Sequence, residues 1–346
     1  MSAVGTGAHV PADPGADAVL VAVTGAVVVD VEGADRRAYL EDVTSQHLSD
    51  AEPGTTTALL VLDPQGAPLA VADAIVEPER VRLIAPDDTV AEHLVGVLGG
   101  RTFLADARFL AAPARVVALR GAPDAIAALL ARATDAARPG ELASAPRSVL
   151  PDGLDLIVEA EAAPVLVDDL VALGAVRAEE ADLEDARVRA GRPAWGREIA
   201  PPHLPEELGL LPTHVHLAKG CYPGQEAVAR MWMLGRPRRR LVRLRALDGV
   251  RLRAGHAFGE GRERVDVTSA TRDGRAALAL VGADVEVGAR VALGPVDAAA
   301  EVDAIVGAGL PVPGHDPRMR RRRDAADPSA GAAPRVDPAA RGPRRP

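Results

Sequence analysis

Fifteen residues, Lys219 to Met233, hold the only lysine and the only cysteine of the chain, with one of two tyrosines, one of two tryptophans and two of four methionines. Cys221 is therefore the one thiol available for nucleophilic or redox chemistry. Every other cation is one of 39 arginines, so the lone lysine implies a compact ammonium, or a close fit, that a planar guanidinium cannot supply. Pro223-Gly224 is a turn signal, and Gln225 to Met233 reads as a helix whose amino end points back at Cys221. Free backbone N–H groups and the helix dipole favour a thiolate there; Lys219 adds to them and Glu226 opposes. The plainer alternative is a packed, inert Cys221 with Lys219 paired to Glu226.

Other candidates are weaker. His214 and His216 read as alternating on a strand, where with Cys221 they could offer three ligands, but the gaps match no standard zinc pattern and no metal is expected. Trp232 reads as a core or domain-interface residue. Arg236, Arg238, Arg239 and Arg240 form a basic cluster that could receive an anionic tail or RNA phosphate, though a solvated face is the simpler reading. Asp73 follows a hairpin turn and is not expected to be catalytic.

The elements that must position these residues follow from periodicity. Strands are expected at Val19–Val23 and Ala26–Val31, then a helix from about Asp35 to Val43. A hairpin joins Thr55–Asp63 to Leu69–Glu77 through Pro64-Gln65-Gly66, and a strand follows at Val81–Ala85. Asp87 and Asp88 cap a helix over Thr89–Leu98. A strand near Arg101–Phe109 and another at Arg115–Leu119 precede a helix from Pro123 to Asp135. Pro139–Arg147 reads as a loop and Leu154–Glu159 as a strand. Helices are expected at Pro164–Leu173 and Glu179–Ala190, the latter ended by Gly191. From Arg239 short alternating strands, at Leu241–Ala246, Arg264–Ser269, Ala276–Val281 and Arg290–Leu293, suggest a small β-barrel. Beyond Gly309 the composition reduces to Pro, Ala, Gly, Asp and Arg, which reads as a disordered, solvated tail.

A length of 346 residues predicts two or three compact units. Hydrophobic residues make up 48% but aromatics only 2%, so the core must be aliphatic. A net charge of −9 argues against a surface that coats nucleic acid, and no stable direct nucleic-acid binding is expected. Charges, glycines and prolines break every apolar run, so no membrane span is expected. The first 17 residues lack a secretory signal, and the single cysteine fits a reducing compartment; cytoplasm is the expected location.

Lys219-Gly220-Cys221-Tyr222-Pro223-Gly224-Gln225-Glu226 resembles the K-G-C-Y-x-G-Q-E signature of the YgfZ family, folate-binding proteins related to the T protein of glycine cleavage. Arg187 to Pro193 with Trp195 and Glu198, then Leu204 to Leu210, resemble segments upstream of that signature, and Arg240 to Leu244 its junction into a carboxy-terminal barrel. The resemblance runs from about Val19 to Val306. It implies an α+β fold of three domains around a central cavity: a discontinuous first domain (18–50 and 112–237), an inserted second (51–111) and a small C-terminal β-barrel (238–308), flanked by tails at 1–17 and 309–346. It also implies tetrahydrofolate or a derivative in the cavity and support for iron–sulfur enzymes or their assembly machinery, sometimes through tRNA modification. Cys221, with Lys219 beside it, carries over as the essential thiol, and Gly220, Tyr222, Gly224, Gln225 and Glu226 as the signature loop. Arg187, Arg189, Trp195 and Glu184 are the folate-binding candidates. Arg189 stands where the related aminomethyltransferases carry a pterin-holding glutamate, and Glu184, a helical turn away, is the substitute. Asp73 sits two residues beyond the place of their catalytic carboxylate, ~7 Å along the strand. An accessory protein is favoured over a true aminomethyltransferase or methyltransferase, with a folate-free binding scaffold as a third reading.

Overall fold

The computed structural model describes residues 18–136, 145–234, 237–247, 249–294 and 299–308; the expected tails and most of the loop at 139–147 lie outside them. The first part of the chain forms β1 (Leu20–Val23), β2 (Val27–Glu32), α1 (Arg36–Val43), β3 (Thr56–Leu62), β4 (Pro68–Val76), β5 (Arg80–Ala85), α2 (Asp88–His93) and β6 (Arg108–Ala111). Next come β7 (Ala114–Arg120), α3 (Pro123–Ala136), β8 (Arg147–Leu150), β9 (Gly153–Glu159), α4 (Ala162–Ala172), β10 (Val176–Arg177), α5 (Glu180–Ala190), α6 (Leu211–His214) and α7 (Gln225–Leu234). The last strands are β11 (Arg239–Ala246), β12 (Ala257–Phe258), β13 (Val265–Ala270), β14 (Ala276–Gly282), β15 (Arg290–Ala292) and β16 (Ala299–Ile305).

These strands make three sheets, ordered β10-β1-β7-β9-β8, β3-β4-β5-β2-β6 and β12-β13-β14-β11-β16-β15. Among the described residues, β1–β10 is the only parallel pair of strands, as expected where hairpins rather than crossovers connect most strands. The first sheet buries Val21, Leu119 and Leu156 against Leu129 of α3 and Leu170 of α4. The second buries Val29, Leu59 and Leu83 against Leu40 of α1 and Val90 of α2. Val28, Ile75 and Ile84 of the second sheet meet Val116 and Ile157 of the first in a small shared cluster. Strand β2 lies within 18–50 yet pairs with β5 and β6, so the segments expected as first and second domains interleave through it.

Where a small carboxy-terminal β-barrel is expected, the chain forms a six-stranded antiparallel sheet in which β12 and β15 each have one strand partner among the described residues. Its strands bury Val242, Leu244, Val267, Ala279 and Val302 in a core of their own. Strands β8, β10, β12 and β16 are additions to the sequence reading. The expected helix to Leu98 is α-helical only to His93 and continues as a π-helical turn, Leu94–Leu98. Its amino end is capped as expected, Asp87 accepting from the Val90 N–H at 2.9 Å. The strand expected from Arg101 starts only at Arg108, because Asp106 is tied by backbone and side-chain bonds to Ala34 and Asp35. His214 does not lie on a strand: it ends the short helix α6, which Pro212 helps to start. No helix among the described residues is long and apolar enough to cross a membrane.

Candidate functional site

The signature loop is fastened at both ends. Lys219, 9% exposed, directs its ammonium at the carbonyls of Glu41 and Thr44 (2.6 Å to the latter). Those are carbonyls that the end of α1 leaves without helical partners. The same Nζ lies 4.7 Å from the centre of the Tyr222 ring. Burial pulls the Lys219 pKa below its usual value, with Glu41 and Asp42 opposing, and pushes Tyr222 up to about 12. At the other end Gly224, at φ +78°, fits against the β3–β4 turn so closely that a Cβ would stand 2.5 Å from the Asp63 carbonyl oxygen and 2.8 Å from Leu62 Cβ. Gly66, in that turn, faces Ala227 in the same way. Between these anchors Cys221 is exposed, and Gln225 opens α7. Glu226 pairs with Arg230 at 2.6 Å along that helix. Trp232, on the same helix, is buried.

A cavity of about 1080 Å³ opens between the sheets. Thr57, Ala58, Ala72 and Asp73 of the β3–β4 hairpin line it, with Arg120 of β7, Ser148 and Val149 of β8, and Asp155 of β9. Glu184 and Arg187 of α5, the segment from Gly191 to Trp195, and Thr213 and His214 of α6 complete the wall. No residue from 219 to 226 lines this cavity, and Arg189 does not either. Arg189 pairs instead with Asp273 at 3.4 Å. Thus Glu184, Arg187 and Trp195 are brought together, while Cys221 and Lys219 stand elsewhere.

The wall is electrostatically organised. Arg120 reaches Asp152 at 3.0 Å and Asp155 at 2.8 Å, all three nearly inaccessible. Arg192 grips Asp152 with two bonds, at 2.8 and 2.9 Å. Burial works against the Asp152 charge, yet Arg192 and Arg120 hold its carboxyl below the usual range. Arg187 holds both Glu184 oxygens at 2.7 Å and reaches the wholly buried Glu198 at 3.1 Å and Ser269 of β13 at 2.7 Å. Burial again opposes the Glu184 charge, and Arg187, with the Arg197 and Arg192 charges, holds its carboxyl below the usual range.

Asp73 has no such partner of its own. Burial, then the Asp155 charge, push its carboxyl up to about 6, against Arg192, a Ser148 hydroxyl bond and Arg120. His214 shows the converse: burial pulls its imidazole down to about 4, with the Leu210 carbonyl opposing. Nδ1 of that ring lies 2.7 Å from Thr213 Oγ1. The cavity lining thus includes a carboxyl raised to about 6 and an imidazole lowered to about 4, proton-handling states suited to acid–base work or to a ligand rich in N–H donors.

One segment connects loop and cavity. Ser45 donates to the His214 carbonyl at 2.6 Å, and His216 N–H donates to the Ser45 carbonyl at 2.9 Å. The Gln46 amide donates to Ala58 and Thr213 carbonyls, at 3.0 and 3.2 Å, and Ala58 is the cross-strand neighbour of Asp73. His216 packs on the ring of His47 at 5.1 Å, and His47 bonds Glu41 at 2.9 Å. Ser148, Asp155 and Arg192 do not stand out individually in the sequence, where arginine and aspartate are too common, and His214 stands out there only as a possible metal ligand. For the first three the only signal is position: Ser148 faces Asp155 across β8 and β9, a register that sequence spacing alone does not fix.

Neither a family model nor a curated protein matches the chain. Among solved structures, it is similar to the glycine cleavage system aminomethyltransferase T from Bartonella henselae, at 22% identity and a TM-score of 0.68, over 83% of this chain and 85% of that one. Another match is the heterotetrameric sarcosine oxidase from Corynebacterium sp. U-96, at 17% identity and a TM-score of 0.31, over 48% of this chain and 90% of that one. The first likeness shows that the chain has an aminomethyltransferase-T-like fold.

Proposed function

We propose that the protein is a YgfZ-type accessory factor: it holds tetrahydrofolate or a derivative in the central cavity and acts through Cys221 in the assembly or repair of iron–sulfur enzymes, in part through tRNA modification, in the cytoplasm. The observation that carries this reading is the octet Lys219–Glu226, in which the buried ammonium and the close-fitting glycine fix a loop whose one reactive atom is left exposed. Such an arrangement presents a thiol to a partner macromolecule rather than to the cavity ligand. The cavity supports the folate part: its volume suits a ligand of that size, Asp73 can accept pterin N–H groups, and the Trp195 ring can flank an aromatic ring. The test is restoration of iron–sulfur enzyme activity in a deletion strain. Wild type should restore it and Cys221→Ala should not; equal restoration by both would remove the thiol from the account.

A second reading is favoured by Asp73 itself. A carboxyl raised to about 6 in a cavity wall is a competent general base or acid near neutral pH, as a folate-dependent aminomethyl transfer requires. It predicts product from an aminomethyl donor and tetrahydrofolate, lost in Asp73→Asn and kept in Cys221→Ala.

A further inference from the structure

Four guanidinium groups line the cavity, and three are committed. Arg120 is paired with Asp152 and Asp155, Arg187 with Glu184 and Glu198, and Arg192 with Asp152. The fourth, Arg197, is exposed at the lip, and its side chain has no hydrogen bond or ion pair among the described residues, its charge acting on Glu184 only at longer range.

The backbone that carries Arg197 is held firmly. Its neighbour Glu198 is wholly buried and accepts from the Ala194 N–H at 3.0 Å, Ser269 Oγ at 2.7 Å and Arg187 at 3.1 Å. The Glu198 and Ile199 N–H groups both donate back to the Ala194 carbonyl, at 3.1 and 3.0 Å. Gly196 takes the left-handed turn between them at φ +72°. Trp195, two residues before Arg197, packs part of its ring on the core of the second sheet while its remaining surface lines the cavity. A buried charge network therefore holds in place a short lip that offers an aromatic face and, just beyond it, an unengaged cation. Preorganisation of this kind lowers the ordering cost of binding.

We propose that Arg197 receives the anionic end of an elongated cavity ligand, one whose aromatic ring passes Trp195 and whose carboxylates continue toward solvent. The inference rests on the folate-type reading and adds to it a preference for ligands with several γ-linked glutamates over those with one. Glu179, the N-cap of α5, and Glu180, on its first turn, are exposed carboxylates that also line the cavity, and they oppose such a chain. Glu180→Gln should accordingly strengthen binding of the longer ligand.

The experiment is calorimetry on the full chain with three probes: tetrahydropteroyl monoglutamate, its triglutamate, and p-aminobenzoyl triglutamate, which lacks the pterin. Wild type should bind the triglutamate about fivefold more tightly than the monoglutamate, the scale of one exposed charge pair. The preference should fall close to one in Arg197→Gln, persist in part in Arg197→Lys, and fade between about 0.05 and about 0.5 M salt. No preference in wild type, or an equal one in Arg197→Gln, would overturn the inference. Arg197-dependent binding of p-aminobenzoyl triglutamate with no binding of either pterin ligand would leave the inference standing and remove the folate reading. Absence of binding by all three probes would overturn both. Unchanged melting temperatures in the variants would exclude a folding artefact.

Discussion

The signature loop and the cavity wall are built on opposite plans. In the loop, rare residues do the structural work: Lys219 satisfies carbonyls at the end of α1 and Gly224 permits a close approach to the β3–β4 turn, so that one thiol is left facing outward. In the wall, the commonest charged residues of the chain, arginine and aspartate, are paired until a single carboxyl, Asp73, is left with its proton affinity raised. Rarity thus marks positions where only one shape fits, whereas chemical capacity in the cavity comes from how ordinary residues are combined. The two regions meet through residues 213–219 and the Ser45-Gln46 bonds, so they share a scaffold without sharing a surface.

The contrast can be broken first at the wall. Arg120→Met would leave Asp152 and Asp155 buried with Arg192 as the remaining guanidinium partner, and unfolding in denaturant should show a loss of about 3–5 kcal/mol. A loss below about 1 kcal/mol would mean that the network is not what holds the wall. At the loop, Gly224→Ala should cost about 3 kcal/mol, since the new Cβ would both clash and favour a different φ. Gly220→Ala, where a Cβ meets nothing within 4 Å, should stay within about 0.5 kcal/mol. Similar costs for both would refute the close-fit account. Lys219→Met should lose about 2 kcal/mol by leaving buried carbonyls unpaired. Lys219→Arg should recover little of it if the compact ammonium is what fits.

The pH dependence sharpens the wall further. The Asp73 pKa is raised in the folded state, so its contribution is fully present below about pH 4 and is lost as pH rises through about 6. Glu206, raised to about 7 by burial and by Glu207, acts in the same direction over a slightly higher range. The His214 pKa is lowered to about 4, so its contribution is present above the usual histidine value of 6.5 and is lost as pH falls toward 4. The two cavity groups therefore oppose each other between about pH 4 and pH 6. Asp73→Asn should make stability rise more steeply with pH in that window, and His214→Gln should make it fall more steeply. Parallel curves for wild type and both variants would show that neither group is perturbed as described.

Much of this arrangement was legible in the sequence, for identifiable reasons. The strands from β1 to β5 follow from alternation, Asp87 and Gly191 fix helix ends, and the octet's composition singled out its loop. What Lys219 touches was not legible, because Glu41 and Thr44 are 178 and 175 residues away in the chain. The same holds for the Arg120–Asp155 pair, which depends on the order β7-β9-β8, and for β8, whose four residues flank a proline-rich stretch. The offset of Asp73 along its strand is readable from spacing, whereas its raised proton affinity comes from burial and the Asp155 charge, which no spacing encodes.

The division of labour between wall and loop is tested most directly by calorimetric titration of tetrahydrofolate into wild type, Cys221→Ala and Asp73→Ala. The account predicts that Cys221→Ala binds within about twofold of wild type, while Asp73→Ala binds at least about tenfold more weakly through loss of a hydrogen-bonded carboxyl. Binding that is lost in Cys221→Ala and intact in Asp73→Ala would contradict it.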